Sequence, residues 1–165
     1  SNCIKGGLLL KAEFINPFIG AAYDIIKRVT EIEATKGELS LANSPVRGDE
    51  VNVVIGVTGD LKGQIIFCLS EATALVFASR MLMNLTTETF NELAKSAICE
   101  MANMILGRAV TSLSERGYFC TLTPPALLLG KNVVVSTQVL KFLVIPLETK
   151  YGPITINAAL QEKQA

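Results

Sequence analysis

The chain has no histidine and no tryptophan, and only 6% of its residues are aromatic. Without histidine, Ser-His-Asp and Cys-His machinery is excluded, as is any His-ligated metal site. With so few aromatic faces, a stacking platform for single-stranded nucleic acid is not expected. An excess of charge is missing as well. The 15 Lys+Arg balance 15 Asp+Glu, and no basic stripe emerges to hold a phosphate backbone. Apolar runs fall far short of a membrane span. The first ten residues, Leu8-Leu9-Leu10 included, lack the length and cleavage site of a signal peptide. The four cysteines, Cys3, Cys68, Cys99 and Cys120, show neither CxxC nor another ligand spacing. Reduced thiols packed as small apolar groups in a cytoplasmic chain are the simplest reading.

What is present is apolar substance. Half of the 165 residues are hydrophobic and 18% are charged, enough for one ordered domain with a real core. Asn16-Pro17 reads as an N-cap followed by the first helical residue. Ile19, Ala22, Tyr23, Ile26 and Val29 then recur at helical spacing to about Thr30. One short strand is expected between Lys36-Gly37 and Asn43-Ser44-Pro45. Residues 51–58 and 64–69 read as a hairpin across Gly59-Asp60-Leu61-Lys62-Gly63. Ser70 caps a second helix running to about Met83. Thr89-Phe90-Asn91-Glu92 offers a capping box for a long helix ending near Arg116, with Gly117 as its left-handed terminator. Strands at 119–123, 126–129 and 133–135 surround the Pro124-Pro125 break, and a second hairpin joins 142–149 to 154–160. The expected class is α/β (α+β): long helices on a largely antiparallel sheet, in one domain with a possible internal pseudo-repeat.

The long helix carries the most informative run, Ser96-Ala97-Ile98-Cys99-Glu100-Met101-Ala102-Asn103. With Leu93 at zero and about 100° per residue, Phe90, Leu93, Ala97, Met101 and Met104 read as the core face. Ser96, Glu100, Asn103, Gly107 and Ser114 form a polar stripe beside it. Beyond the stripe lie Cys99, Ala102, Leu106 and Val110, small and apolar where a solvated helix would carry Lys and Glu. Something must cover them: the chain's own sheet, a second copy, or a partner docking on the stripe. Glu100 and Asn103 supply no nucleophile and no metal site. They can orient a water molecule and a cation that belong to another molecule. Glu13-x-x-Asn16 repeats the spacing, but with Asn16 as a cap and Glu13 ahead of the helix the two should not share a face.

Several segments together resemble the CheC/CheX/FliY family of chemotaxis phosphatases, and its CheX branch most closely. They are Phe14-Ile15-Asn16-Pro17-Phe18, the hairpin run Val54 to Gly63, Ser70-Glu71-Ala72-Thr73-Ala74, Glu100-Met101-Ala102-Asn103-Met104-Ile105, and Val144-Ile145-Pro146-Leu147-Glu148-Thr149. The family signature is a small polar residue or Asp, Glu four residues later, Asn three beyond, and a Pro well downstream. Ser96, Glu100, Asn103 and Pro124-Pro125 satisfy it. CheC proteins carry two such helices. This chain is expected to carry one, with Asn16-Pro17 in place of the other.

The resemblance implies a CheC-like single domain over residues 13–165, with 1–12 an N-terminal extension or expression remnant. It implies hydrolysis of the aspartyl phosphate of a CheY-like response regulator. Asn103 would orient the attacking water, and Glu100 would engage the regulator's Lys. The partner-facing residues would be Ser96, Cys99, Ala102, Leu106 and Gly107, with Pro124 or Pro125 shaping a nearby loop. No cofactor of the chain's own is implied, because Mg²⁺ would come with the regulator. A homodimer joined through its sheets is implied too. Two other readings stay open: a non-catalytic adaptor that binds a receiver domain, and a structural dimer or small-ligand domain that buries Cys99, Ala102 and Leu106 against itself.

Overall fold

In a computed structural model of the chain, the residues described are 4–5, 8–9, 12–83, 88–138 and 141–163. The elements run β1 (Ile4–Lys5), β2 (Leu8–Leu9), α1 (Ala12–Thr30), β3 (Thr35–Lys36), β4 (Ser40–Asn43), β5 (Val46–Arg47), β6 (Val51–Gly59) and β7 (Leu61–Leu69). Then come α2 (Glu71–Met81), α3 (Glu92–Ser114), β8 (Cys120–Leu122), β9 (Ala126–Leu129), β10 (Val134–Val135), β11 (Lys141–Glu148) and β12 (Ile154–Glu162). Cys3 lies outside the described residues. Among the described residues no helix is long and apolar enough to cross a membrane.

The two expected hairpins form the centre of the sheet. β6 pairs with β7, β11 with β12, and β7 with β12, all antiparallel. The first turn is tighter than expected, since only Asp60 separates β6 from β7. The strand expected between Lys36-Gly37 and Asn43-Ser44-Pro45 is β4, and β4 and the preceding β3 both pair with β11. On the other edge β8 and β9 pair with β6. The order long helix, edge strands, hairpin therefore occurs twice. Each half closes its edge strands onto the hairpin of the other half, which gives the pseudo-repeat a structural form. Pro124-Pro125 sits where the second edge bulges. Val54 faces Ala126 and Val57 faces Leu122, so three edge residues span two of β6. Prolines fit such an edge because no ladder N–H is needed there.

Side-chain alternation along the strands divides the core. Ile65, Phe67 and Leu69 of β7, with Ile154, Ile156, Ala158 and Leu160 of β12, join the large cluster under the helices. Ile66, Cys68 and Ala159 point to the opposite face. There they meet Val46 and Val135 of the small β5–β10 ribbon.

The helix ends show which local signals decided the fold. The Ser70 hydroxyl accepts from the Thr73 N–H at 3.1 Å and opens α2 as expected, which ends at Met81. Asn91, not Thr89, caps α3, its Oδ1 accepting from the Ala94 N–H at 2.9 Å. Gly117 (φ 89°) closes it, with the Tyr118 N–H donating to the Leu113 carbonyl at 3.0 Å.

The start of α1 corrects the sequence reading: the helix begins at Ala12 and runs through Pro17. Proline cannot donate to the carbonyl four residues back, which leaves the Glu13 carbonyl without its helical partner. Arg116, just past α3, supplies the donor through Nη1 at 2.9 Å. An Asp24–Arg108 ion pair at 3.1 Å ties the same two helices further along. The pairings 13 with 116 and 24 with 108 set α1 and α3 antiparallel, side by side over the sheet.

Candidate functional site

α3 buries Ala94, Ala97, Ile98, Met101, Ala102, Ile105, Leu106, Ala109 and Leu113. On a helical projection this arc is centred roughly 130° round from Leu93 at about 100° per residue. The expected core face, centred about 40° round from Leu93, was therefore out of phase by roughly 90°. Ala97 and Met101 are core as expected, but Leu93 is 52% exposed, and Phe90 and Met104 are only half-buried. Four alanines and five larger apolar residues share the buried arc, so side-chain size was a poor guide to the inward direction.

The same rotation settles what covers the apolar strip. Ala102 and Leu106 are 1% and 0% exposed, within the chain's own core. Their expected place on a partner surface is corrected: the chain's own helices and sheet cover them. Cys99 is half-buried at the border of the arc, and Ser96 is exposed. Burial pushes the Cys99 thiol up from its ordinary value, which keeps it protonated and unreactive near neutrality.

Glu100 and Asn103 lie on the opposite, solvent-facing side, both exposed. Ser96, Glu100, Asn103 and Gly107 fall within about 60° of arc. Three residues apart on a helix, the carboxylate and the amide are neighbours, about 5–6 Å apart at Cβ. Among the described residues neither side chain is held by a hydrogen bond or ion pair within the chain. Leu93 and Met104 flank the pair with apolar surface that the sequence reading had placed in the core. The signal for them was present in the phase of Ala94, Ala102 and Ala109.

Two surface cavities lie away from the pair. One of about 530 Å³ runs between α1 and α3, lined by Asn16, Gly20, Asp24, Arg108 and Arg116 among others. Another of about 390 Å³ lies under the β11–β12 turn, beside Arg80 and Lys150. Neither is lined by Glu100 or Asn103. Both side chains stand on the exposed side of α3, where a group presented by another molecule can reach them. Among the described residues no three His, Cys, Asp or Glu side chains gather into a group that could hold a metal ion.

The Glu13/Asn16 pair also requires correction. Asn16 does not cap a helix; it lies within α1, and both side chains are exposed there. The two share one helical face, as Glu100 and Asn103 do. Pro124 is exposed and Pro125 half-buried, at the edge bulge, which fits a loop-shaping role.

Comparison with known proteins follows the same lines. The family model described as chemotaxis phosphatase CheX matches residues 51–148. The chain is 31% identical over 128 residues to the "CheY-P phosphatase CheX" of Thermotoga maritima, a match covering 78% of this chain and 83% of that protein. A CheC-like superfamily protein from Shewanella sp. PV-4 superposes with a TM-score of 0.82 at 25% identity, over 94% of this chain and all of that one. The CheX of a CheX–CheY–BeF3–Mg²⁺ complex from Borrelia burgdorferi superposes with a TM-score of 0.74 at 26% identity, over 92% of this chain and 100% of that one. The chain belongs to the chemotaxis phosphatase CheX family.

Proposed function

We propose that this chain dephosphorylates a CheY-like response regulator, using Glu100 and Asn103 to complete a site whose other half is the regulator. The observation that carries the reading is the placement of this pair. Both are exposed on one face of α3, and among the described residues neither has a hydrogen-bond or ion-pair partner within the chain. In the reaction a water oxygen bonds to phosphorus while the phosphorus–carboxylate bond breaks, releasing phosphate and restoring the regulator's aspartate. Asn103 holds that water in line. A neutral amide does so without repelling the phosphoryl oxygens, as a second carboxylate would. Glu100 pairs with the regulator's Lys and fixes the register of docking. Mg²⁺ arrives with the regulator, and catalysis by the chain is positioning and charge complementarity.

The relatives' names and the CheX–CheY complex support this partner. The cytoplasm is the compartment in which such a partner is met. A homodimer joined through sheet edges would leave α3 free.

The test is phosphate release from a phosphorylated CheY-like regulator. Asn103→Ala removes most of the stimulated rate, by about 100-fold if the amide acts like other preorganised donors, with the fold intact. Glu100→Ala raises KM. Wild-type rates for both variants would refute the assignment.

A further inference from the structure

The glycines hold a second clue to how the partner docks. Ten are described, and eight have a reason within the chain. Gly59, Gly63, Gly117, Gly130 and Gly152 have positive φ. At Gly37, Gly48 and Gly56 an added Cβ would press on Pro146, Asn52 or Thr123. Gly20 and Gly107 have neither reason. Each lies inside a helix, and a Cβ built on either meets nothing within 4 Å. Glycine in a helix interior destabilises it relative to alanine, so nothing within the fold favours glycine there. Both positions follow an exposed Asn by four residues, in the pattern Glu-x-x-Asn-x-x-x-Gly: Glu13, Asn16, Gly20 and Glu100, Asn103, Gly107. The unexplained glycines therefore track the Glu/Asn pairs.

Gly107 lies between Glu100 and Asn103 in angle, one turn beyond the amide. Asn has a single methylene between Cα and its amide carbon. For that short arm to reach a phosphoryl group held on another protein, the backbone of α3 must come down close to the partner's surface. The next turn on the same face, which carries Gly107, then lies close to that surface as well. We infer that Gly107 is a clearance residue for docking: it leaves out the side chain that would hold α3 away from the receiver domain. This inference rests on the phosphatase reading above and deepens it.

The prediction is an unusual pairing of effects. Gly107→Ala raises the urea midpoint of unfolding, because it removes glycine's freedom from the unfolded chain and strengthens the helix. It also raises KM for a CheY-like regulator phosphorylated by a small-molecule phosphodonor, by about tenfold. Gly107→Leu raises KM further, and kcat at saturation changes less than KM for both. Gly20→Ala, in an equally open helical setting, raises the midpoint similarly and leaves KM within twofold, so it reports the effect of stiffening alone.

An unchanged KM for Gly107→Ala and Gly107→Leu, with Asn103→Ala still inactive, would overturn the clearance role while leaving the phosphatase reading standing. A KM increase for Gly20→Ala equal to that for Gly107→Ala would also overturn it, by assigning the effect to helix stiffness. Absence of turnover in the unmutated chain would overturn the phosphatase reading and the inference with it.

Discussion

Two leucines on one helix, Leu93 and Leu106, separate docking from folding. The perturbation is the same, Leu→Ala, and the surroundings are opposite. Leu106 is 0% exposed, with Ala102 and Ala109 as same-face neighbours one turn away, both equally buried. Small neighbours cannot swing into the vacated space, so the cavity persists and the cost lies toward the upper part of the usual range, about 3–5 kcal/mol. For a domain of this size each kcal/mol moves Tm by about 2–4 °C, so the fall is at least roughly 6 °C. Leu93 is 52% exposed; its truncation costs about 1 kcal/mol or less.

Urea unfolding followed by circular dichroism measures the first effect, and phosphate release at 25 °C, where both variants are folded, measures the second. Leu106→Ala is markedly destabilised with unchanged kcat/KM per folded molecule. Leu93→Ala is nearly as stable as the parent, and its KM for the phosphorylated regulator rises severalfold. A Leu106→Ala variant of parental stability and lowered activity would refute the reasoning, because it would place Leu106 on a partner surface and reverse the helix phase.

Two further perturbations test the fold around the site. Arg116→Ala leaves the Glu13 carbonyl without its donor and costs about 0.5–1.5 kcal/mol, with faster amide exchange in the first turns of α1. Pro17→Ala restores the helical N–H, so Arg116→Ala costs less in that background, and additive losses in the double-mutant cycle would show that the two residues are not coupled. Burial, partly offset by the hydrogen bond from Asn157, pushes the Cys68 thiol up from 9.0 to about 11. A raised thiol pKa means that the folded state prefers the neutral form. Its contribution, about 2 kcal/mol, is complete below pH 9 and is lost as pH rises through about 11. The unfolding free energy should fall by that much more between pH 8 and 11 in the parent than in Cys68→Ala; equal slopes would place the thiol in a wetter site.

The parts of this fold that were legible in the sequence are those set by neighbours in the chain. The Ser70 cap, the Gly117 terminator and both hairpins follow from turn chemistry within a few residues. The start of α1 does not. Asn16-Pro17 has the composition of a helix start, and what allows the helix to begin earlier is Arg116, about a hundred positions away. The Glu100/Asn103 pair was legible because two polar groups three residues apart mark a face wherever the core lies. The apolar half of the same face was not. Leu93 and Met104 look like core residues, but the buried arc of α3 runs through Ala94, Ile98, Met101, Ile105 and Ala109 and leaves them at or beyond its edge. Inward direction here is set by which side of α3 the other helices and the sheet occupy, a tertiary fact that the spacing of apolar residues along α3 does not carry.

The repeated Glu-x-x-Asn-x-x-x-Gly pattern does not make the two helices equivalent as docking surfaces. Glu100 stands two turns into α3, and the turns ahead of it expose Leu93 and Ser96, an apolar contact and a hydroxyl on the line of approach. Glu13 is the second residue of α1. Its partner Asn16 borders the α1–α3 groove, where Arg116 is already engaged with the Glu13 carbonyl and Arg108 with Asp24. A receiver domain lowered onto α3 gains apolar contact before the amide reaches the phosphoryl group. The same domain lowered onto α1 would meet the amide in the second turn of that helix, beside guanidinium groups held by the fold. Orientation accounts for much of the rate in phosphoryl transfer, so under the proposed function the surface ahead of the Glu/Asn pair would decide which copy of the pattern acts. That is why Gly20→Ala belongs in the test of Gly107: the two glycines share a local setting, and only one follows a completed docking face.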